Sequence, residues 1–470
     1  MHIANRYCEP RTSQPAPTRC AAVFYLGLLC VLFVQVDLSQ AQVLNARRLG
    51  MGGVVTSDNR SQAAANVAFR AVPKGRSVGN FPLPFGLIQF ATDLPVIDSD
   101  DDDFNFFELV NEVMNPPFNV SLGGPKEVSS DIGILVSKNS LLIDLQDLQR
   151  IVPDDALVGA TVHHFSGVGA DIGPVFLHAY PLIHVRSSLD VSNELRVALG
   201  EGVAIEPNTT YRVMADARAQ TAIAIQADIT YLAFHDHPSG EEIVPIDPRR
   251  DHSTALYLGV GPKCLIGLAF GDTEGDGTAV TGDILFAPTD PLAFELDART
   301  RYAHVGGDGG MGAGYGADLG AVFFWDNFEL GLGLNDVAAE IHWEPTVKQH
   351  RYDDEAGKFV SQEIARGERF TARVPLTTVV NVAKRIGNTT LAAAVVDTEV
   401  RATLHAGLEY WFGRHAARGG CYRDQNKLWQ VTAGAGKRFG SFGLDLAIAT
   451  HSRNIVLERE VELSLSISRY

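Results

Sequence analysis

Cysteine is scarce in this 470-residue chain, and most of it stands at one end. Cys8, Cys20 and Cys30 precede everything else, leaving Cys264 and Cys421 for the remaining four hundred or so positions. Two residues so far apart cannot form a disulfide framework, so stability must come from elsewhere. The sequence leaves open whether these two pair. Long apolar runs are missing as well. Beyond residue 42 nothing approaches the ~18 consecutive apolar residues of a spanning helix, which excludes a helical membrane bundle. Positive charge is in deficit: 39 Lys and Arg face 56 Asp and Glu, a formal net charge of −17. Nucleic-acid partners need a basic surface to neutralise phosphates, so that class is excluded. Apolar residues are not in short supply. At 46% hydrophobic and 20% charged, the chain has ample material for burial, and chain-wide disorder is excluded.

What is present begins with the first forty residues. Arg6, Arg11 and Arg19 precede an uncharged apolar run from Ala21 to Val36. Ser39-Gln40-Ala41 then places small residues at the −3 and −1 positions of a cleavage after Ala41. This three-part layout is that of a secretory signal peptide, and residues 1–41 are expected to leave the mature chain. The run is short of the ~20 residues an uncleaved anchor needs. A lipoprotein signal at Cys30 is rejected because Leu29 stands where that motif requires a small side chain.

The mature chain is dominated by alternation. Tyr315, Ala317, Leu319, Ala321, Phe323 and Trp325 fall on one face of a period-two stretch, with Gly316, Asp318 and Gly320 between them. Asp326-Asn327 breaks the stretch, and Phe328, Leu330, Leu332 and Leu334 resume it. A two-residue hairpin turn sets its flanking residues opposite each other on one face, as Trp325 and Phe328 require. The same design recurs where Trp429, Val431, Ala433 and Ala435 lead to Phe439, Gly440-Ser441 turns, and Phe442, Leu444, Leu446 and Ile448 return. Further alternating stretches include Ile223 to Tyr231, Leu256 to Val260, Leu376 to Val395 and Leu404 to Phe412. A soluble sandwich also alternates. Strands near ten residues, with Gly, Ala and isolated polar residues between the apolar positions, point instead to a membrane barrel with apolar side chains outward.

The N-terminal third reads differently. Asn139-Ser140 could cap a helix with Leu141, Leu145 and Leu148 on one face, ending before Pro153, and Ser192 to Leu199 reads as a second short helix. An acidic run lies between Asp98 and Asp103. The expected organisation is a signal peptide over 1–41, a plug-like segment with the first strands over 42–125, and the barrel with short helical inserts over 126–470. The fold class expected is all-β: a closed antiparallel transmembrane barrel of about 12–16 strands.

Candidate chemistry is thin. Gly75-Arg76-Ser77-Val78-Gly79 matches a nucleophile-elbow string, but Pro82 and Pro84 forbid the helix that must follow. Asp272, Glu274, Asp276, Gly277 and Asp283 have the spacing of a calcium loop, with departures at the third and twelfth positions and no flanking helix pair. An acidic hairpin loop accounts for them better, although calcium binding over Asp272–Asp283 stays open at this stage. Gly306 to Gly316 has no strand–helix unit around it, which excludes a nucleotide fingerprint. His163-His164 and His235-Asp236-His237 lack partners at ligand spacing. No catalytic residue, metal ligand or ligand-binding residue is assigned, no cofactor is implied, and the chain is not expected to be an enzyme.

Asn45 to Gly53, N-A-R-R-L-G-M-G-G, resembles the mature opening of a broad group of outer-membrane barrels: FadL-type transporters of hydrophobic compounds, PorV-type proteins of secretion systems, and TraF-like proteins. Gly316 to Ala321 with Gly331 to Asp336 and Trp343, and His405 to Tyr410 with Gly434 to Gly436, Gly443 to Ala447 and Leu463 to Ser466, resemble the same group. In that group an Asn-Pro-Ala commonly follows the opening; here Asn66-Val67-Ala68 stands instead. Val461, Leu463, Leu465 and Ile467 alternate with Glu462, Ser464, Ser466 and Ser468 before Tyr470, similar to the terminal strand that barrel insertion machinery reads, though Tyr470 falls on the serine face unless a bulge intervenes. The resemblance implies a barrel in the cell outer membrane, with membrane lipid and insertion machinery as partners. It implies passage of a small hydrophobic molecule or, alternatively, docking of partners in secretion or conjugal transfer without transport.

Overall fold

A computed structural model describes residues 45–58 and 60–73, the short stretches 79–82, 119–121, 132–137, 140–145, 156–162 and 168–172, and then 175–195, 206–236, 253–282, 293–307, 309–353, 358–398, 402–423, 429–450 and 460–469. The acidic run over 98–103, the serine of the elbow string, His163-His164, His237, Asp283 and Tyr470 lie outside these residues.

The described residues begin with a short helix, α1 (Ala46–Gly50), followed by 3-10 turns at Arg60–Ala64 and Val67–Arg70. Everything afterwards that is assigned to a named element is strand. Six are short: β1 (Gly79–Pro82), β2 (Asn119–Ser121), β3 (Ile132–Ser137), β4 (Ser140–Leu145), β5 (Ala156–Val162) and β6 (Val168–Ile172). Then come β7 (Val175–Val191), β8 (Thr210–Asp236), β9 (Thr254–Val280), β10 (Ala293–His304), β11 (Gly312–Trp325) and β12 (Phe328–Trp343). Next are β13 (Thr346–Asp353), β14 (Lys358–Arg366), β15 (Phe370–Arg373), β16 (Thr377–Ile386) and β17 (Thr389–Asp397). The series ends with β18 (Thr403–Phe412), β19 (His415–Arg423), β20 (Trp429–Phe439), β21 (Phe442–Thr450) and β22 (Glu460–Arg469).

A single 20-stranded sheet takes in all of these except the β3–β4 hairpin, and every ladder between named strands is antiparallel. Its continuous path runs β7–β8–β9–β11–β12–β16 and then strand by strand to β22. At one end β5 and β6 lie along β7, and at the other β1 and β2 lie along β22. Among the described residues no ladder joins those two ends. The far half of β9 carries a branch, β10 then β13 then β14, and β15 and β16 share β12. These branches raise the total above the number of strands on the continuous path.

Turn chemistry explains the tight end of the sheet. Asp326-Asn327 turns with φ of 43° and 68°, positive at both central residues, as a type I′ turn requires. Gly387, Gly413 and Gly440 have φ of 57°, 66° and 65°, while the residue after each does not go positive. A glycine alone in the first central position is the type II′ signature. The registers put all four turns at one end: Phe328 opposes Lys384, Thr389 opposes Tyr410, and His415 opposes Lys437.

Two expectations need correction. Residues 140–145 are not helical: they form β4, paired with β3 from Ser137↔Ser140 to Ile132↔Leu145. Ser140, Leu141, Leu142 and Ile143 are as apt for a strand as for a helix, and a neighbouring strand decided between them. The register of β22 against β21 runs from Thr450↔Val461 to Phe442↔Arg469 with no shift, so no bulge within those residues changes the phase of the terminal aromatic. At Ser192 the expectation fares better. Residues 193–195 are helical, and the Ser192 hydroxyl accepts from Leu195 N at 3.4 Å.

Candidate functional site

The two faces of the sheet differ in kind. Facing outward are Ile223, Ile225, Ile229 and Tyr231 on β8, Leu319, Phe323 and Trp325 on β11, and Leu404, Leu408, Tyr410 and Phe412 on β18, all exposed. Trp325, Phe439 and Phe442 are exposed and Phe328 is half-buried, so the four rings expected at one end are outward there. The alternate positions, Asp228, Lys263, Asp318, Glu329, Asn381, Glu409 and Asp445, are buried on the inward face. In water the polar set would face out. The arrangement is inverted relative to a soluble domain.

What covers the inward face is the chain's own N-terminal segment. Ala46, Leu49, Val55 and Ala68 have no more than 0% exposure, and nearly all of 45–57 and 62–69 is buried. A segment lying on a flat sheet would keep one side in solvent; burial on all sides requires the sheet to curve round it. The contacts span that curve. Ala46 N donates to Ser466 Oγ on β22, and Gly52 N to Thr432 Oγ1 on β20. Ser57 donates through N and Oγ to Glu329 on β12, and Arg70 pairs with Asp228 on β8.

Close approach is what glycine supplies here. A Cβ on Gly407 of β18 would overlap Met51 O, and one on Gly333 of β12 would overlap Ala65 O. The wall is thinned to backbone where the segment's own backbone leans on it. Asn66, fully buried, holds the second contact. Its Oδ1 caps the turn at Ala68 N (3.0 Å) and its Nδ2 donates to Ala321 O (3.0 Å). Asn66 thus keeps a structural role although the proline common after it in the resembled group is absent.

Charge fixes the rest of the seat. Arg47 makes a bidentate pair with Glu409, 2.8 and 2.6 Å. Glu409 also accepts from Arg418 Nε at 2.9 Å, and Arg418 reaches Asp445 at 2.8 Å. His405 Nδ1 donates to Gly52 O at 2.8 Å. Across the wall, Lys263 lies 2.6 Å from both Asp318 and Asp336. Asp336 sits in a β12 irregularity with φ of 62°, where its amide donates to Asp318 Oδ1.

Beyond this seat, away from the two-residue turns, the inward face becomes apolar. Tyr180, Leu182, Ala222, Ala224, Leu265, Phe270, Ile341 and Trp343 form one cluster with Phe370 packed against it. Phe270 stacks on Trp343 at 5.5 Å and lies 5.2 Å from Phe370. At its margin Arg301 and Arg218 lie over the Phe370 ring, 5.2 and 6.0 Å away, and both pair with Asp272.

The positions singled out from sequence are dispersed. Asp272, Glu274, Asp276 and Gly277 belong to the extended strand β9, not to a loop, with Asp272 paired as above and Asp276 paired with Arg212. That overturns the loop geometry which calcium spacing presupposes. Cys264 and Cys421 are free, on β9 and β19. Among the described residues no His, Cys, Asp and Glu group is arranged to hold a metal. Sequence reasoning missed Arg47, Glu409, Arg418 and Asp445. For the three on strands the visible signal was a charge at the inward phase of an otherwise apolar–small alternation; Arg47, on the short helix, carried none.

No family model matches the chain, and no curated protein does. Solved structures that align with it include the toluene transporter TodX of Pseudomonas putida, 12% identical, covering 64% of this chain and 90% of that one with a TM-score of 0.26. The toluene transporter TbuX of Ralstonia pickettii aligns at 11% identity, 67% and 86% coverage and 0.28. A Pseudomonas aeruginosa FadL homologue aligns at 12%, 63% and 79%, and 0.30.

Proposed function

We propose that the sheet closes into an outer-membrane barrel, that residues from 42 to about 75 are its plug, and that small hydrophobic molecules pass through it. The single observation that carries passage is the inward apolar cluster around Phe270, Trp343 and Phe370. A lumen meant for water and ions is lined with polar groups; the rings on the inward side are buried against one another, and a hydrophobic solute slipping between them would exchange one apolar contact for another. The outward apolar belt and the 9–11-residue length of β16 to β21 support the membrane part, because a tilted strand crosses a bilayer in ~9–11 residues.

Reconstituted vesicles test the passage. Uptake of a small aromatic hydrocarbon should exceed that of empty vesicles, and Trp343→Glu should reduce it roughly tenfold by placing a charge in the apolar path. Wild-type uptake equal to that of empty vesicles would shift the reading to docking in secretion or conjugal transfer. One feature favours that second reading: β14 is hydrogen-bonded on one side only among the described residues, with Val360 and Ile364 exposed, and a free edge can accept a partner's strand.

A further inference from the structure

The chain carries a net charge of −17, yet the outward side of its two-residue-turn end is cationic. Arg414 in the β18–β19 turn, His415 after it, and Lys437, which opposes His415 across β19–β20, are all exposed. Lys437 Nζ lies 5.2 Å over the Phe439 ring, and His415 stacks on Phe412 at 5.6 Å. Lys384 holds the matching place on β16, facing outward between Phe328 and Leu391. Glu409 and Asp445, the described carboxylates nearest in sequence to Arg414 and Lys437, point inward and are held by Arg47 and Arg418; Asp326, exposed in the β11–β12 turn, shares this end with the cations. Among the described residues no carboxylate pairs with Lys384, Arg414 or Lys437.

Cations that pair with no described carboxylate, beside a row of exposed rings, have a specific meaning. Rings of this kind settle at the level of lipid headgroups, and lysine stems run along apolar surface to place the ammonium there. At that level the available counter-ion is a phosphodiester. A zwitterionic headgroup brings its own cation to compete with the protein's, and an anionic headgroup does not.

We propose that Arg414 and Lys437 bind the headgroup phosphate of an anionic phospholipid, of the phosphatidylglycerol type, in the leaflet that meets the two-residue turns, and that Lys384, four strands away at the same end, engages a neighbouring one. The proposal rests on the membrane-barrel reading above. Two-residue turns belong to the periplasmic end of such barrels, where the leaflet is phospholipid.

The test uses the full chain in phosphatidylcholine vesicles doped with spin-labelled phosphatidylglycerol or spin-labelled phosphatidylcholine. The fraction of immobilised label measures which lipid the protein holds. Wild type should prefer phosphatidylglycerol, on the order of fivefold for each engaged cation at low salt, and the preference should fade as salt screens it. The combined Lys384→Gln, Arg414→Gln and Lys437→Gln variant should lose the preference. Lys348→Gln, a cation on β13 away from these turns, should keep it. Equal binding of both labels by wild type, or a preference that survives the triple variant, overturns the proposal. Heat-dependent gel mobility reports insertion separately. A chain that never inserts ends the barrel reading and the proposal together; a chain that inserts without lipid preference ends the proposal alone.

Discussion

The inward face is built by different physics in two regions that share only strands β8, β9 and β12. Near the two-residue turns the wall meets the N-terminal segment through ion pairs, hydrogen bonds and glycine-thinned backbone, with Arg47, Glu409 and Arg418 at the centre and apolar packing such as that of Val55 and Phe69 with Tyr257 and Phe324 around them. Farther along, the inward phase presents Phe270, Ile341 and Trp343, which among the described residues pack within one apolar cluster. Directional contacts hold a specific object in one register. Apolar rings hold nothing in particular and exclude little that is greasy. The first half locks a resident segment, and the second packs apolar side chains on one another.

The contrast breaks most sharply at Glu409. Glu409→Ala leaves Arg47 and Arg418 buried without their shared carboxylate and should destabilise by about 3–5 kcal/mol. The urea midpoint should fall, and protease should cut within residues 45–73, which wild type protects. Gly407→Val keeps every charge but drives a side chain into Met51 O, for about 1–3 kcal/mol of overpacking and the same protease exposure. If the segment stays protected in both variants, the seat is not what holds it.

Much of this was legible in the chain. The outward phase of β8, β11, β18, β20 and β21 follows from period-two alternation alone, because a strand has only two faces and each hairpin's turn residues set its register. Asp326-Asn327 and Gly440-Ser441 made that register readable. The seat was not legible, since its partners lie hundreds of positions apart: Arg47 and Glu409 are separated by 362. Nothing local distinguishes an inward Glu facing water from one facing an arginine. The length of β8 and β9, 27 residues each, was hidden for the opposite reason. Their far halves alternate charge and small residues such as Asp272, Glu274 and Asp276, which imitates a ligand loop when the neighbouring strands are unseen.

Smaller effects sharpen the comparison. Asn66→Ala removes a cap and a bond to the wall at once, and should lower the urea midpoint by the equivalent of about 1–2 kcal/mol. Hydrogen exchange should accelerate at Ala68 before it does at Leu49. Phe370→Ala, in the apolar half and only partly buried, should lower stability by about 1 kcal/mol. It should leave protection of residues 45–73 untouched, whereas uptake of a hydrocarbon should change. Loss of segment protection in this variant would mean the halves are coupled after all.

The bond from Ala46 to Ser466 joins residues 420 positions apart, which bears on the order of assembly. Closing so long a loop is slow, because its entropy is lost before any contact repays it. The residues that emerge early in synthesis therefore wait for those that emerge late. Ser466 lies on β22 and Thr432 on β20, so part of the segment has nowhere to rest until the final hairpins are laid down. Seating acts as a proofreading step: a chain lacking its last strand should leave the residues around Ala46 unanchored at that end, displaying an unfinished sheet to quality control.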